Sequence, residues 1–488
     1  MRARYRACIL SLLLPLALQG QDIGLLRLDP VTGSRGSAGV YGGYEAGGYH
    51  PAFAPSSLWK AGASAQGTWH GGLTSFTGSF SFEQIEGKDM FTSMFLEPGY
   101  FPVDVVEFTP GDKTRQTYKL GGGFATSLTD EFVFGVKADY QAANYAKRKD
   151  IRHTTYGMDL QVEPTFAFVS DGVGISASYI FRKRTESIDA EQVGAATDES
   201  YYAFLDKGMR YGTYQVWDGD GIHLDEAGVG VFPVREFTNG FAYLVDSPVF
   251  ACGMELLWKH GTVGEKGYDW FRYPGRGYAL FLERKWKRQS LKLEMKIQSD
   301  QLKEAVLDKV SSGGITTPVV YGYNAVSDRT WGSLDLTYGV RFQNGSLKRL
   351  QAILHGGAWS ESSYLMYPYE DRTDRFNGTA TLLAAFTFGP VDLNLRANGG
   401  VGTWKEQGLR GGTGDVITIP FRLDFDWLRK MEYFSASKAG AGVTLAYHLK
   451  AVKGLYVQAE GTWLHGFGIV LLPGADRWSS TVKIGYDF

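Results

Sequence analysis

The stretch TVKIGYDF, Thr481 to Phe488, decides the fold class. Thr481, Lys483, Gly485 and Asp487 are polar or small, while Val482, Ile484, Tyr486 and Phe488 between them are apolar or aromatic. Successive side chains of a strand point to opposite faces, so a period of two reads as a strand with one greasy and one polar face. The same period recurs in SLDLTYGVRF (333–342), LKLEMKI (291–297), VDLNLR (391–396) and FVFGVKADY (132–140).

A soluble β-sandwich alternates as well, with its apolar face turned to a core. Three further features separate the two: the number of strands of roughly ten residues, an export signal, and an aromatic-ended terminal strand. In MRARYRACILSLLLPLALQG, Arg2, Arg4 and Arg6 precede an apolar run from Ala7 to Leu18, the pattern of a secretory signal peptide. The run is too short for a spanning helix and contains Pro15. Cleavage is expected near Gly20, leaving a single domain over 21–488. Cys8 lies too early to be acylated, and the mature chain keeps only Cys252, so strand pairing and no intramolecular disulfide must hold it. Loss of the signal removes three positive charges and no acid, taking the formal charge from −2 to −5. Nucleic acid is therefore not an implied partner.

Val482, Ile484, Tyr486 and Phe488 resemble the terminal signal read by the barrel-assembly machinery of outer membranes. Glycine at 63 of 488 residues and aromatics at 14% also suit a barrel with aromatic girdles. The expected fold is all-β, a transmembrane antiparallel up-and-down barrel of about 16 strands (14 to 18) with long extracellular loops. Its short turns are His70-Gly71-Gly72, Thr129-Asp130, Ser170-Asp171-Gly172, Asn344-Gly345 and Gly389-Pro390. The long connections are expected at 84–116, 185–247, 300–329, 360–376 and 402–414. Alternation loses parity near 261–300 and 402–437. No plug domain fits between Gln21 and the first strand, which disfavours an energised TonB-dependent receptor.

The eight histidines are scattered without metal-ligand spacing, and no Gly-x-Ser-x-Gly elbow occurs. No enzyme, cofactor or metal is expected. Asp218, Asp220, Asp225 and Glu226 in WDGDGIHLDE form an acidic turn, read as solvated in preference to calcium-binding because no Glu closes it at position twelve. Lys147, Arg148, Lys149, Arg152 and His153 in NYAKRKDIRH form a basic run, read as a charged rim ahead of a lipopolysaccharide phosphate site. Cys252 falls on the apolar phase and is expected to face lipid as a small apolar residue. Expected inward pairs are Lys137 with Asp139, Lys292 and Lys296 with Glu294, Asp335 with Arg341, and Asp392 with Arg396; an open pore and a lumen closed by ion pairs both fit them.

At NYAKRKDIRH, the strand before Asn144, the start QDIGLLRLDP and the terminal strand, the chain resembles a family of uncharacterised Bacteroidetes outer-membrane barrels of about this length. The resemblance spans most of 22–488 and implies fold and cell envelope only. The functions compatible with these features rank as a passive channel or accessory component of nutrient uptake, then a structural barrel whose loops bind a surface lipoprotein or TonB-dependent transporter, then a hydrolase. Outer-membrane lipid, lipopolysaccharide and the assembly machinery are the remaining expected partners.

Overall fold

The computed structural model describes residues 33–149, 151–191, 203–215, 231–265, 268–312, 315–366, 369–408 and 421–488. The expected signal segment and the acidic turn at 218–226 lie outside the described residues.

The strands are β1 (Gly33–Ala46), β2 (Ser57–Gly71), β3 (Thr74–Ser93), β4 (Asp104–Ser127), β5 (Phe132–Lys147), β6 (Arg152–Ser170), β7 (Val173–Glu191), β8 (Ala203–Asp206), β9 (Gly212–Gln215) and β10 (Val231–Asp246). They continue as β11 (Phe250–Glu265), β12 (Tyr268–Lys285), β13 (Gln289–Ser312), β14 (Ile315–Arg341), β15 (Leu347–Met366), β16 (Tyr369–Phe388) and β17 (Val391–Gly408). Helix α1 (Phe421–Ser435) precedes β18 (Lys438–His448), β19 (Leu455–Gly466) and β20 (Asp476–Asp487). Each wall strand pairs antiparallel with its neighbour, β10 pairs with β7 across the β8–β9 excursion, and β20 returns to β1 with Val40 opposite Ile484. Without β8 and β9, which lie off the wall, eighteen of the twenty strands close the barrel.

Eighteen stands at the top of the expected 14 to 18 instead of at sixteen, and the strands also run longer than expected. The connections expected at 300–329 and 360–376 are almost entirely strand, because the sheet continues past the apolar belt. On β13 the outward phase changes from Met295 and Ile297 to Ser299 and Gln301, so alternation stops where pairing does not. Near 261–300 parity is lost for the opposite reason: Val263, Phe271 and Tyr273 are apolar residues buried inside the barrel. Near 402–437 it is lost because the chain becomes helical at Phe421–Ser435.

The five expected tight turns all connect strands at one end of the barrel. Gly72, Gly172, Gly345 and Gly389 take positive φ there, which glycine tolerates at no steric cost. Apolar residues on the outward phase, such as Leu334, Leu354, Val443, Val482 and Ile484, remain exposed. Trp59, Trp463 and Trp478 mark the long-loop edge of this belt, and Trp69, Phe132, Trp286 and Phe342 the short-turn edge. Cys252 lies on the outward phase with Phe250, Met254 and Trp258. Among the described residues no helix is long and apolar enough to cross a membrane, which says nothing of strands.

Candidate functional site: a lumen insert built by three segments

The hairpin β3–β4 leaves the wall. Its register shifts at Gly87, Met90 and Thr92, and Asp89 and Thr92 adopt positive φ of 58° and 72°. Beyond that bend the sequence MFLEPGYFPVDVVEF (94–108) is apolar on both phases. Val105, Val106, Glu107 and Phe108 are all buried, so the hairpin tip has protein on both faces and lies inside the barrel. Asp104–Val106 pair with Phe204–Asp206 of β8, which pairs with β9. The result is a small internal sheet across the long-loop end of the lumen.

One face of the tip packs Phe95, Phe101, Val103 and Val105 against Phe232, Trp270, Tyr273 and Leu302 of the wall. Val106 and Phe108 pack on Phe204 and Leu423, and Leu96 packs on Ala143 and Tyr145. A turn dense in backbone amides would be costly to bury there without partners, and the wall supplies them. Arg329 donates to the carbonyls of Gly99 and Phe101, each at 2.8 Å, and to that of Tyr100. The Leu96 amide donates to Glu186 at 2.5 Å, and Thr155 donates to the Met94 carbonyl at 2.7 Å. The Tyr100 hydroxyl donates to Glu236 at 2.7 Å while the Arg184 guanidinium lies 3.8 Å from its ring centre. Burial, reinforced by Glu236, holds that hydroxyl protonated far above its ordinary range.

Several buried charges around the insert compensate one another. Asp300 lies 2.6 Å from Lys259 and 2.9 Å from Arg329, Arg184 lies 3.2 Å from Glu97, and Arg182 pairs with Asp159. Glu107 on the tip is held by Lys113 at 2.6 Å, by Lys147, and by His153 at 3.6 Å. The basic run therefore divides: Lys147 and His153 turn inward and are used on Glu107, while Arg148, Lys149 and Arg152 stay exposed. This corrects the reading of all five as an outer rim.

Helix α1 is the third segment. Leu423, Trp427 and Met431 recur at a spacing of four, giving it one apolar face, and all three are buried. Arg210 of the β8–β9 turn donates to Asp424 at 2.8 Å and Glu406 at 2.5 Å, with its guanidinium 3.9 Å from the Trp427 ring centre. Glu432 accepts the amides of Val470, Leu471 and Leu472 at 2.7, 2.9 and 2.8 Å, tying the β19–β20 loop to the helix. Where the three segments meet, Lys430 faces Glu361, Asp104 and Asp206. Burial lowers Lys430, and the three acids oppose that shift while Arg375 adds to it. Burial and Glu361 push Asp206 up to about 7, and burial pushes Asp426 up to about 7 and Tyr433 up to about 12.

Elsewhere the lumen keeps room for water. Lys119 is exposed on the inward phase, Asp139 keeps 46% of its side-chain area beside Lys137 at 2.8 Å, and Lys292 lies 3.0 Å from Glu294. Two expected pairs are replaced by cross-strand ones: Asp335 bonds His355 at 2.7 Å, and Asp392 bonds His448 at 3.0 Å. Arg341 and Arg396 stand six and four residues along the same strands, about 20 and 13 Å away at roughly 3.3 Å per residue. Among the described residues no three His, Cys, Asp or Glu side chains gather as metal ligands.

The chain belongs to a family of unknown function, DUF6850, which matches residues 25–488. No curated protein sequence matches it. Solved structures similar to it include the copper transporter OprC (8% identity, TM-score 0.39, covering 94% of this chain and 81% of that one). A variant of the ferric enterobactin receptor PfeA of Pseudomonas aeruginosa gives 10%, 0.42, 94% and 81%. BauA, the ferric preacinetobactin receptor of Acinetobacter baumannii, gives 9%, 0.44, 94% and 80%. At such identities and scores these likenesses assign neither cargo nor mechanism to this chain.

Sequence reasoning missed the insert, although its signal was present. The run 94–108 lacks alternation and is apolar on both phases, the signature of a segment buried on both faces.

Proposed function

We propose that the protein spans the outer membrane of a Gram-negative bacterium and serves nutrient uptake as a narrow passive channel whose outer mouth is constricted by its own insert. The observation that carries this reading is the lumen lining: Lys119, Asp139 and Lys292 point inward yet meet solvent, beneath a mouth crossed by the β3–β4 tip, β8–β9 and α1. An eighteen-stranded wall is of the size that leaves an aqueous channel in porins. The outward belt with aromatics at both edges supports the membrane location, with short turns toward the periplasm. Residues 1–20 act as the signal, and the family resemblance points to a Bacteroidetes source. On this reading Val482, Ile484, Tyr486 and Phe488, on the outward face of β20 at the closing seam, are what the assembly machinery grips.

The second reading is a closed scaffold bound to a surface lipoprotein or TonB-dependent transporter, favoured by the burial of the tip on both faces. Planar-bilayer conductance separates the two. The channel reading expects small steps from the full chain and larger ones after deletion of 94–103 or Arg329→Gln. A folded wild-type barrel that conducts no current, with variants equally silent, would establish the scaffold instead.

A further inference from the structure

The short-turn rim is electrically divided. Asp130 and Glu131 occupy the β4–β5 turn, Asp171 the β6–β7 turn, and Asp246 the approach to β10–β11. The next two turns are basic. Arg284, Lys285, Lys287 and Arg288 surround β12–β13, and Arg341, Lys348 and Arg349 surround β14–β15. The two turns are fixed side by side, since the Arg341 amide donates to the Arg288 carbonyl at 2.8 Å and the Arg288 guanidinium donates to Gln343 at 2.8 Å.

Lys285 is used on Asp246. Arg288 and Lys348 meet the neutral oxygens of Gln343 and Gly345, and among the described residues neither they nor Arg284 or Lys287 pairs with a carboxylate. All four are exposed. Arg284 follows Leu280 and Leu282 on the outward phase, and Lys348 sits at the register shift between Leu347 and Arg349, where the strand carrying the outward Leu350 and Leu354 leaves its turn. Both cations thus stand where the apolar belt ends, beside the exposed rings of Trp286 and Phe342. Aromatic rings settle at the headgroup level of a bilayer, and uncompensated cations there meet lipid phosphates. An acidic protein arriving from the aqueous side would reach Lys287, Arg288 and Lys348, which bonds back to the Gly345 carbonyl of its turn, but Arg284 faces sideways, along the lipid.

We propose that this arc binds the headgroups of anionic phospholipids in the leaflet at the short-turn end. The inference rests on the membrane reading above. The full-length protein, delipidated in detergent, is titrated with phosphatidylglycerol and separately with phosphatidylcholine, and bound lipid is counted by native mass spectrometry. Phosphatidylglycerol is expected to bind preferentially. The combined Arg284→Ser, Lys287→Ser, Arg288→Ser and Lys348→Ser variant is expected to lose roughly tenfold in affinity, the scale for a few partly screened surface charges. If that variant fails to fold, as read by heat-modifiable gel mobility, the pair Arg284→Ser and Lys348→Ser is used, with a loss of severalfold expected. Asp130→Asn with Asp171→Asn, on the opposite arc, should leave affinity unchanged. Equal binding of the two lipids, an unaffected basic variant, or displacement of phosphatidylglycerol by millimolar inorganic phosphate would each overturn the proposal. Failure of the protein to fractionate with the outer membrane would instead overturn the membrane reading itself.

Discussion

Two hairpins run past the apolar belt and finish in opposite places. Strands β13 and β14, 24 and 27 residues long, continue in the wall, paired as far as Ser312 opposite Ile315. Strands β3 and β4, 20 and 24 residues long, bend at 87–92 and place their tip in the lumen. Length does not separate them, and neither does irregularity, since β13–β14 also shifts register twice. The chemistry of the two faces does. Just past the belt, β13 and β14 turn polar on the outward phase with Ser299, Gln301, Asp328 and Thr330, and the apolar Val306, Leu307, Val310 and Tyr321 further out stand exposed among polar residues such as Glu304 and Asp308. The β3–β4 tip has Phe95, Phe101, Val103 and Val105 on one face and Leu96, Val106 and Phe108 elsewhere, so no placement in an aqueous wall could bury it. Apolar surface on both faces, at about 25 cal/mol per Å², drives the tip inward.

The same substitution in both hairpins should break the symmetry most sharply. Val105→Asp places an unpaired charge in the tip core and is expected to cost about 4 kcal/mol or more. Thr330→Asp, exposed on the wall extension, should stay within about 0.5 kcal/mol. Urea unfolding in micelles reads both, and similar losses would erase the distinction. Next in size, Arg329→Met strips three carbonyls of the tip of their donor and leaves Asp300 with Lys259 and the Gln298 amide, at an expected cost of about 3 kcal/mol. The accompanying increase in bilayer conductance should exceed that of any substitution on the outward face of the wall.

The junction should respond to pH. With its folded value raised to about 7 against roughly 3.9 unfolded, Asp206 keeps a proton that the unfolded chain releases. Stability then falls as pH rises from about 4 to 7, by up to roughly 4 kcal/mol, and Asp426 adds the same sign. Hydrogen exchange of β8–β9 and the tip, corrected for intrinsic rate, should be slower at pH 5 than at pH 8. In Asp206→Asn that difference should shrink; an unchanged slope would remove Asp206 from the junction. The smallest effect is expected for Asp139→Asn, because a water-exposed pair with Lys137 contributes at most about 1 kcal/mol.

The wall was legible in the sequence wherever one phase faces apolar surroundings and the other water. LKLEMKI, SLDLTYGVRF and VDLNLR lie in β13, β14 and β17, and the Asn344-Gly345 and Gly389-Pro390 turns join the strands expected of them. Legibility failed where the inside stops being water. Phe271 and Tyr273 face the insert and so break the alternation, and Lys147 and His153 point inward because Glu107, forty residues away from Lys147 in sequence, lies in the lumen. Helix α1 was hidden because its three buried apolar residues, Leu423, Trp427 and Met431, recur at a spacing of four within a short segment between two strands that alternate at two. Lumen pairs within one strand, Lys137 with Asp139 and Lys292 with Glu294, were legible, whereas for cross-strand pairs only register discloses that His355 faces Asp335.

The most direct test labels single cysteines on intact cells with a membrane-impermeant maleimide, after Cys252→Ser removes the background thiol. Tyr321→Cys on the β14 extension, where Tyr321 is 66% exposed, and Phe101→Cys on the tip, where Phe101 is 4% exposed, are the two sites. The account predicts rapid labelling at 321 and protection at 101 until the barrel is unfolded; equal rates at the two positions would contradict the insertion of the β3–β4 tip into the lumen.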